Sequence, residues 1–400
     1  VTELKEQFKQ SIFADIISRD RYETVFLPLA EDDEFMTECE QFVRDSYTDQ
    51  PCLGDGFSRL AFLLWLSGKE ERAMQLWQRD MASDRSGWWQ QLRYMSAVLK
   101  RQGLAAARRI ADHVHDRFPQ ANNVYASLAW DLRNTDTSLA GKLASKDAEA
   151  GRLTPGFRLN YACILVEQGC MQAALKEVEM AYSAEPGLKD GHCRISSEYH
   201  LPRNMIDDAV ELFSRDLAAG RMSANRKLQL GMLFLKQQAL PDAERLVAVA
   251  YAEDSSLRDG YSRIGWHFFR PRGFAFDALR YFRKDAELDR LSPEWTLNQG
   301  IAFATIGDLD GANEAVERAY ARSRDVVNGY CRIGWEYHLP RGQVERAMDC
   351  FQRDVDLGRI NGDWRDRHHV LRDMVADCDG GVYYPTVPTP CLDEDSPGPA

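Results

Sequence analysis

The chain repeats itself every 69 residues, and that period constrains its fold more than any other property of the sequence. "GHCRISSEYHLPRNMIDDAVELFSRDLAAGRMS" begins at Gly191, "GYSRIGWHFFRPRGFAFDALRYFRKDAELDRLS" at Gly260 and "GYCRIGWEYHLPRGQVERAMDCFQRDVDLGRIN" at Gly329. A more distant copy, "GFSRLAFLLWLSGKEERAMQLWQRDMASDRS", begins at Gly56. Self-similarity at a fixed period marks arrays in which each unit buries its apolar face against the next. Each block divides into halves of 34 and 35 residues, and each half holds two apolar-periodic stretches with a short break between them, the pattern of a helical hairpin. In "LQLGMLFLKQQALPDAERLVAVAYAEDSSL", Gly231, Ala243 and Ala250 fall where two helices approach closely, and Leu230, Phe234 and Val247 fill the space between them.

This spacing resembles the tetratricopeptide repeat, which places a large residue, Leu, Gly, Tyr, Ala, Phe, Ala and Pro at positions 4, 7, 8, 11, 20, 24, 27 and 32. The half beginning at Pro155 supplies Tyr161, Ala162, Leu165, Ala174, Val178, Ala181 and Pro186 from position 7 onward. Odd halves supply Tyr261, Ile264, Gly265 and Phe268, then Tyr330, Ile333, Gly334 and Tyr337; their second helices arrive one residue late, at Ala278 and Ala347. The resemblance spans residues 56–361, about nine hairpins, and implies an all-α fold, a right-handed superhelical α-solenoid. Residues 1–55 are helical in pattern without matching the repeat and are expected to cap the array. Residues 362–379 read as the C-terminal capping helix that an open array requires, and 380–400 as a Pro-rich acidic tail.

The net charge of −12 argues against binding nucleic acid through its phosphates, although a local basic strip survives inside an acidic average. The longest apolar run near a membrane candidate, "LAFLLWL" at 60–66, is far shorter than the ~20 residues that span a bilayer, so no membrane insertion is expected. The N-terminus lacks the basic start and apolar core of a secretory signal. Nine cysteines without a CxxC pair favour a reducing cytoplasm over a disulfide framework or zinc site.

In the family that the chain resembles, the first helix of each hairpin lines a concave groove, with position 6 facing it. Carried onto this chain, position 6 is Asn160, Arg194, Gln229, Arg263, Asn298 and Arg332, an alternation of amide and guanidinium. Amides pair with a peptide's N–H and C=O, and Arg offers a planar fork of donors to carboxylates. The odd hairpins also carry Asp late in the second helix, at Asp80, Asp147, Asp216, Asp285 and Asp354. Four of these five have a position-6 Arg (Arg59, Arg194, Arg263, Arg332), and the Asp147 hairpin has Ser127 instead. Two readings stay open here: the Arg pairs with the Asp inside the repeat, or it faces a ligand. Position 9 adds Trp266 and Trp335, with Phe62 and Trp130 in corresponding hairpins, either as core or as anchors for a partner.

"EYHLPR" at 198–203 and 336–341 looks catalytic but recurs with the architecture, which points to packing and turn formation. No Gly-rich phosphate loop, HExxH or nucleophile elbow is present, and no catalytic residue, metal ligand or cofactor is expected. The expected function is a non-catalytic, cytoplasmic scaffold that binds a protein or an extended, acidic peptide in its groove. The alternative is a module that holds an anionic glycan in bacterial polysaccharide assembly, with Trp and Arg as its ligands. An enzyme is the least favoured reading.

Overall fold

A computed structural model describes residues 2–13 and 22–378; the expected 380–400 tail lies outside the described residues. The chain divides into two compact units between Asn204 and Met205. Among the described residues there is no strand.

The first unit opens with helices Thr2–Ser11 and Asp33–Asp49. Four hairpins follow: Gly56–Leu66 with Glu70–Ala82, Trp88–Gln102 with Leu104–Arg117, Val124–Leu132 with Thr137–Glu149, and Pro155–Glu167 with Met171–Ala184. Helix Gly191–Tyr199 closes the unit. The second unit opens with Ile206–Ala218 and continues with Ala224–Lys236 and Leu240–Glu253, then Gly260–Ile264 and Ala275–Glu287. Pro293–Thr305 with Leu309–Arg322 and Gly329–Ile333 with Val344–Asp356 complete its hairpins, and Gly362–Cys378 follows them. Within each unit successive helical hairpins stack as an α-solenoid.

The helices of a hairpin meet backbone to backbone. A Cβ on Gly265 would lie 2.7 Å from the Ala278 carbonyl oxygen, and one on Gly334 2.9 Å from that of Ala347, so any other residue there would push the helices apart. Ala278 and Ala347 are fully buried opposite these glycines, and Phe282 and Phe351 fill the next layer. These are the small and large positions that the sequence pattern assigns.

Of the two readings left open for the position-6 arginines, three hairpins exclude pairing with the buried Asp. Asp354 accepts from the Tyr320 hydroxyl at 2.6 Å and from the Cys331 N–H at 2.8 Å. Tyr320 Oη in turn accepts from the Gly329 N–H at 2.6 Å. The same relay joins Tyr251, Asp285, Gly260 and Ser262, and again Tyr47, Asp80, Gly56 and Ser58. Asp80, Asp285 and Asp354 have no exposed surface and make no ion pair with Arg59, Arg263 or Arg332. Physically, the start of a helix leaves N–H groups without partners, which a cap side chain usually accepts. Here the second helix supplies the acceptor, and the cap residue itself is turned away. Asp259 and Asn328 adopt left-handed backbone (φ 63° and 64°), and their side chains accept the Ser292 and Asn361 N–H groups at the start of the next hairpin.

Five residues beyond each Asp, an Arg closes the other end. Arg290 donates to the carbonyls of Tyr251, Asp254 and Leu257, and Arg359 to those of Tyr320, Ser323, Arg324 and Val326. These are the C-terminal carbonyls that a helix end leaves unpaired. The double period of the sequence is therefore this Tyr–Asp–Arg lattice. It reaches into the first 55 residues, because Tyr47 on Asp33–Asp49 takes the place of Tyr251 and Tyr320. It is incomplete at Asp147, where His115 stands in the Tyr position; Asp147 accepts from the Ala126 N–H, and its Oδ1 has no hydrogen-bond partner.

The thirty-fifth residue of the odd halves is absorbed partly inside the first helix. In two hairpins of the second unit the helix widens into a π turn, Gly265–Phe269 and Gly334–His338, before a 3-10 turn at Arg270–Arg272 and Leu339–Arg341. Gly273 and Gly342, at φ 78° and 70°, then reverse the chain. His338 is buried in this turn, its Nδ1 2.7 Å from Gln343 Oε1, a packing and turn role for the "EYHLPR" histidine.

Candidate functional site

All eight residues singled out from the sequence, Asn160, Arg194, Gln229, Arg263, Trp266, Asn298, Arg332 and Trp335, are half-buried on first helices or their π turns. Asn160 and Arg194 belong to the first unit and the other six to the second. They differ sharply in what already occupies them.

In the first unit, Arg133 lies 3.6 Å from Glu198 and stacks 3.9 Å over Trp130, while Arg194 contributes positive potential at the buried Cys163. Burial pushes the Cys163 thiol up to about 11, so it is an inert core residue. Among the described residues the Asn160 side chain makes no hydrogen bond.

In the second unit, Gln229 accepts from Arg226 at 2.6 Å. In the Arg332 hairpin an acid stands beside the arginine: Glu336 lies 3.6 Å from Arg332 Nε and also pairs with Arg270, from the turn of the Arg263 hairpin. Burial lowers the Arg332 pKa; Glu336 opposes that shift, and Arg270 adds to it. The hairpin of Arg263 has no such acid. His267 stands where Glu336 stands one period later. Desolvation first, then the charges of Arg263 and Lys236, lower the His267 pKa, so it is neutral at pH 7. Arg263 Nε is buried with no hydrogen-bond partner, and among the described residues Arg263 makes no ion pair. Its guanidinium lies 5.8 Å from the Trp295 ring, and His267 flanks the same ring at 6.1 Å. Asn298, in the next first helix, makes no side-chain hydrogen bond among the described residues.

The two tryptophans already carry partners on their rings. Arg270 lies 3.9 Å and Arg332 5.9 Å from the Trp266 ring, while Trp335 meets Trp364 at 6.3 Å and Arg367 at 5.0 Å. Glu336, Arg270 and His267 escaped the sequence reading. Both Glu336 and His267 lie within the π turns, four residues after the position-6 arginine. The signal was the odd residue of the 35-residue half beside a Gly-Trp pair. Among the described residues no cluster of His, Cys, Asp or Glu could hold a metal ion, and no helix is long and apolar enough to cross a membrane.

No family model and no curated protein matches the chain. Among solved structures it is similar to a tetratricopeptide repeat protein from Parabacteroides merdae, at 14% identity over 71% of this chain and 98% of that one, with a TM-score of 0.40. Yeast Tom70 matches at 10% identity over 94% of this chain and 96% of its own, with a TM-score of 0.41. The anaphase-promoting-complex hetero-tetramer Cut9–Hcn1 matches at 12% identity over 92% and 87%, with a TM-score of 0.35.

Proposed function

We propose that the chain is a non-catalytic protein-interaction scaffold whose first-helix face holds an extended acidic peptide. The observation that carries this reading is the Arg263 guanidinium, half-buried, with an Nε that has no hydrogen-bond partner and, among the described residues, no ion pair. A buried cation without a partner is costly, and a carboxylate that fits it recovers that cost through charge-assisted hydrogen bonds. Asn298 on the neighbouring first helix offers an amide of the kind that pairs with a peptide backbone. Arg332 already has Glu336 3.6 Å from its Nε, which makes Arg263 the point of recognition and Arg332 part of the frame. Trp266 and Trp335 support Arg270 and Arg367 with their faces, which favours a structural duty over sugar stacking.

The test uses a fluorescein-labelled dodecapeptide of alternating serine and aspartate, with its serine–lysine counterpart as control, in a polarisation titration. The aspartate peptide binds and the lysine peptide does not. His267→Glu gives Arg263 the acid that Arg332 already has, and lowers affinity for the aspartate peptide about tenfold. Equal binding of both peptides, or an unaffected His267→Glu protein, would contradict the reading.

A further inference from the structure

The second unit holds a recess between second helices, apart from the first-helix face that carries Arg263. Second helices Ala275–Glu287 and Leu309–Arg322 flank it, first helix Pro293–Thr305 forms its floor, and it encloses about 540 Å³. Thr296, Gln299 and Phe303 are three and four residues apart, so the floor helix presents them as one stripe, with Asn298 off it.

The equivalent place one period earlier holds an ion pair. There Lys227 stands for Thr296 and Glu253 for Arg322, and the two side chains are joined; Leu230, fully buried, stands for Gln299. The Pro293–Thr305 hairpin lacks both features. The Thr296 hydroxyl donates to the Ser292 carbonyl at 2.8 Å, and Arg322 donates to the Leu291 carbonyl at 2.9 Å. Gln299 is only 8% exposed, and among the described residues its side chain makes no hydrogen bond. A buried amide without partners is costly, and a ligand that supplies an acceptor or donor recovers that cost.

The rim is cationic. Arg283 comes from one flank and Arg318 from the other; both are exposed, and among the described residues neither makes a hydrogen bond, ion pair or ring contact. Their equivalents one period earlier are Ser214 and Val249, so these charges are no part of the repeat. With Arg322, the lining carries three arginines against one acid, Asp289, in a chain whose net charge is −12. Leu291, buried, and Phe303, half-buried, supply an apolar wall.

We propose that this recess binds a phosphate monoester carried on a compact apolar group. Three guanidiniums less one carboxylate leave a surplus of two positive charges, which matches the charge of about −1.5 to −2 on such an ester at pH 7. A single carboxylate would leave half of that surplus unmatched. Guanidinium forks suit phosphate oxygens, so Arg283 and Arg318 take the phosphate from opposite flanks while Gln299 bonds to the ligand from the floor. Phe303 and Leu291 cover the apolar group, and the volume lies within the ~300–1,000 Å³ typical of small-molecule clefts.

The test titrates phenyl phosphate into the full chain by isothermal calorimetry, with benzoate as the singly charged control. The ester should bind about tenfold or more tightly than benzoate. Arg283→Gln combined with Arg318→Gln should weaken the ester about tenfold, and Gln299→Leu about threefold. Thr296→Lys combined with Arg322→Glu rebuilds the ion pair of the earlier period; it should abolish binding while circular dichroism matches the parent. A capped Gly–phosphotyrosine–Gly peptide that binds more tightly than phenyl phosphate assigns the ester to a partner chain, and equal or weaker binding assigns it to a free small molecule. Absence of phenyl phosphate binding, benzoate binding of equal strength, or an affinity that survives the combined Arg283 and Arg318 change overturns the proposal.

Discussion

The hairpins that open at Gly260 and Gly329 stand one period apart and share the same frame. Tyr251 and Tyr320 feed Asp285 and Asp354, Gly265 and Gly334 let the helices touch, and both first helices end in a π turn. They diverge in the turn itself. In one, Glu336 lies beside Arg332 and also reaches Arg270 from the turn of the other; in the other, His267 stands in the acid's place and Arg263 makes no ion pair among the described residues. Identical architecture with a changed charge balance separates what the repeat needs from what a partner needs. The aspartates are architecture, since they recur with the period; the uncompensated arginine occurs in one of these two equivalent places.

The largest effect should fall on the shared frame and be alike in both hairpins. Asp285→Ala or Asp354→Ala strands a buried tyrosine hydroxyl and a helix-start N–H, at a cost of about 3 kcal/mol each in urea unfolding. A cost of a few tenths of a kcal/mol in either would break the claim that the lattice holds the hairpins.

A smaller effect separates Asp259 from its equivalent Asn328. Burial raises the Asp259 pKa from its ordinary 3.8 to about 6. The folded chain then holds this proton more tightly than the unfolded chain does. The stabilisation is complete below the unfolded pKa and is lost as pH rises through 6. From pH 7 to pH 5 the parent should therefore gain about 1 kcal/mol over Asp259→Asn, whose cap does not titrate. Parallel pH profiles of the two proteins would place the charge burial elsewhere.

The smallest effect concerns the surface. Phe276 is 72% exposed where the Gly329 hairpin has Glu345. Phe276→Glu should change stability by less than about 0.5 kcal/mol, read as a nearly constant thermal midpoint. A larger loss would mean that this phenylalanine packs against something in solution.

The period, the hairpins and the close Gly–Ala contacts were legible in the sequence because each is a local pattern repeated with fixed spacing. The fate of the aspartates was not, although a signal existed: a Tyr stands nine residues before the opening Gly at Tyr47, Tyr182, Tyr251 and Tyr320. A nearby Arg and a buried Asp suggest an ion pair, but the chain satisfies Asp354 with neutral donors and a helix start. The π turns were illegible for another reason. One extra residue can be absorbed in a loop or inside a helix, and here it lies partly in the π turns that hold Glu336 and His267. Arg263 and Arg332 were readable as equivalent positions; which of them makes an ion pair was decided by the residue four places on, His267 or Glu336.

The most direct measurement is the affinity of the serine–aspartate dodecapeptide for Arg263→Ala and Arg332→Ala, side by side with the parent. Arg263→Ala should lose about tenfold or more, and Arg332→Ala less than about threefold, because Arg332 already has an acid, Glu336, 3.6 Å from its Nε. Equal losses, or no loss in Arg263→Ala, would contradict the account.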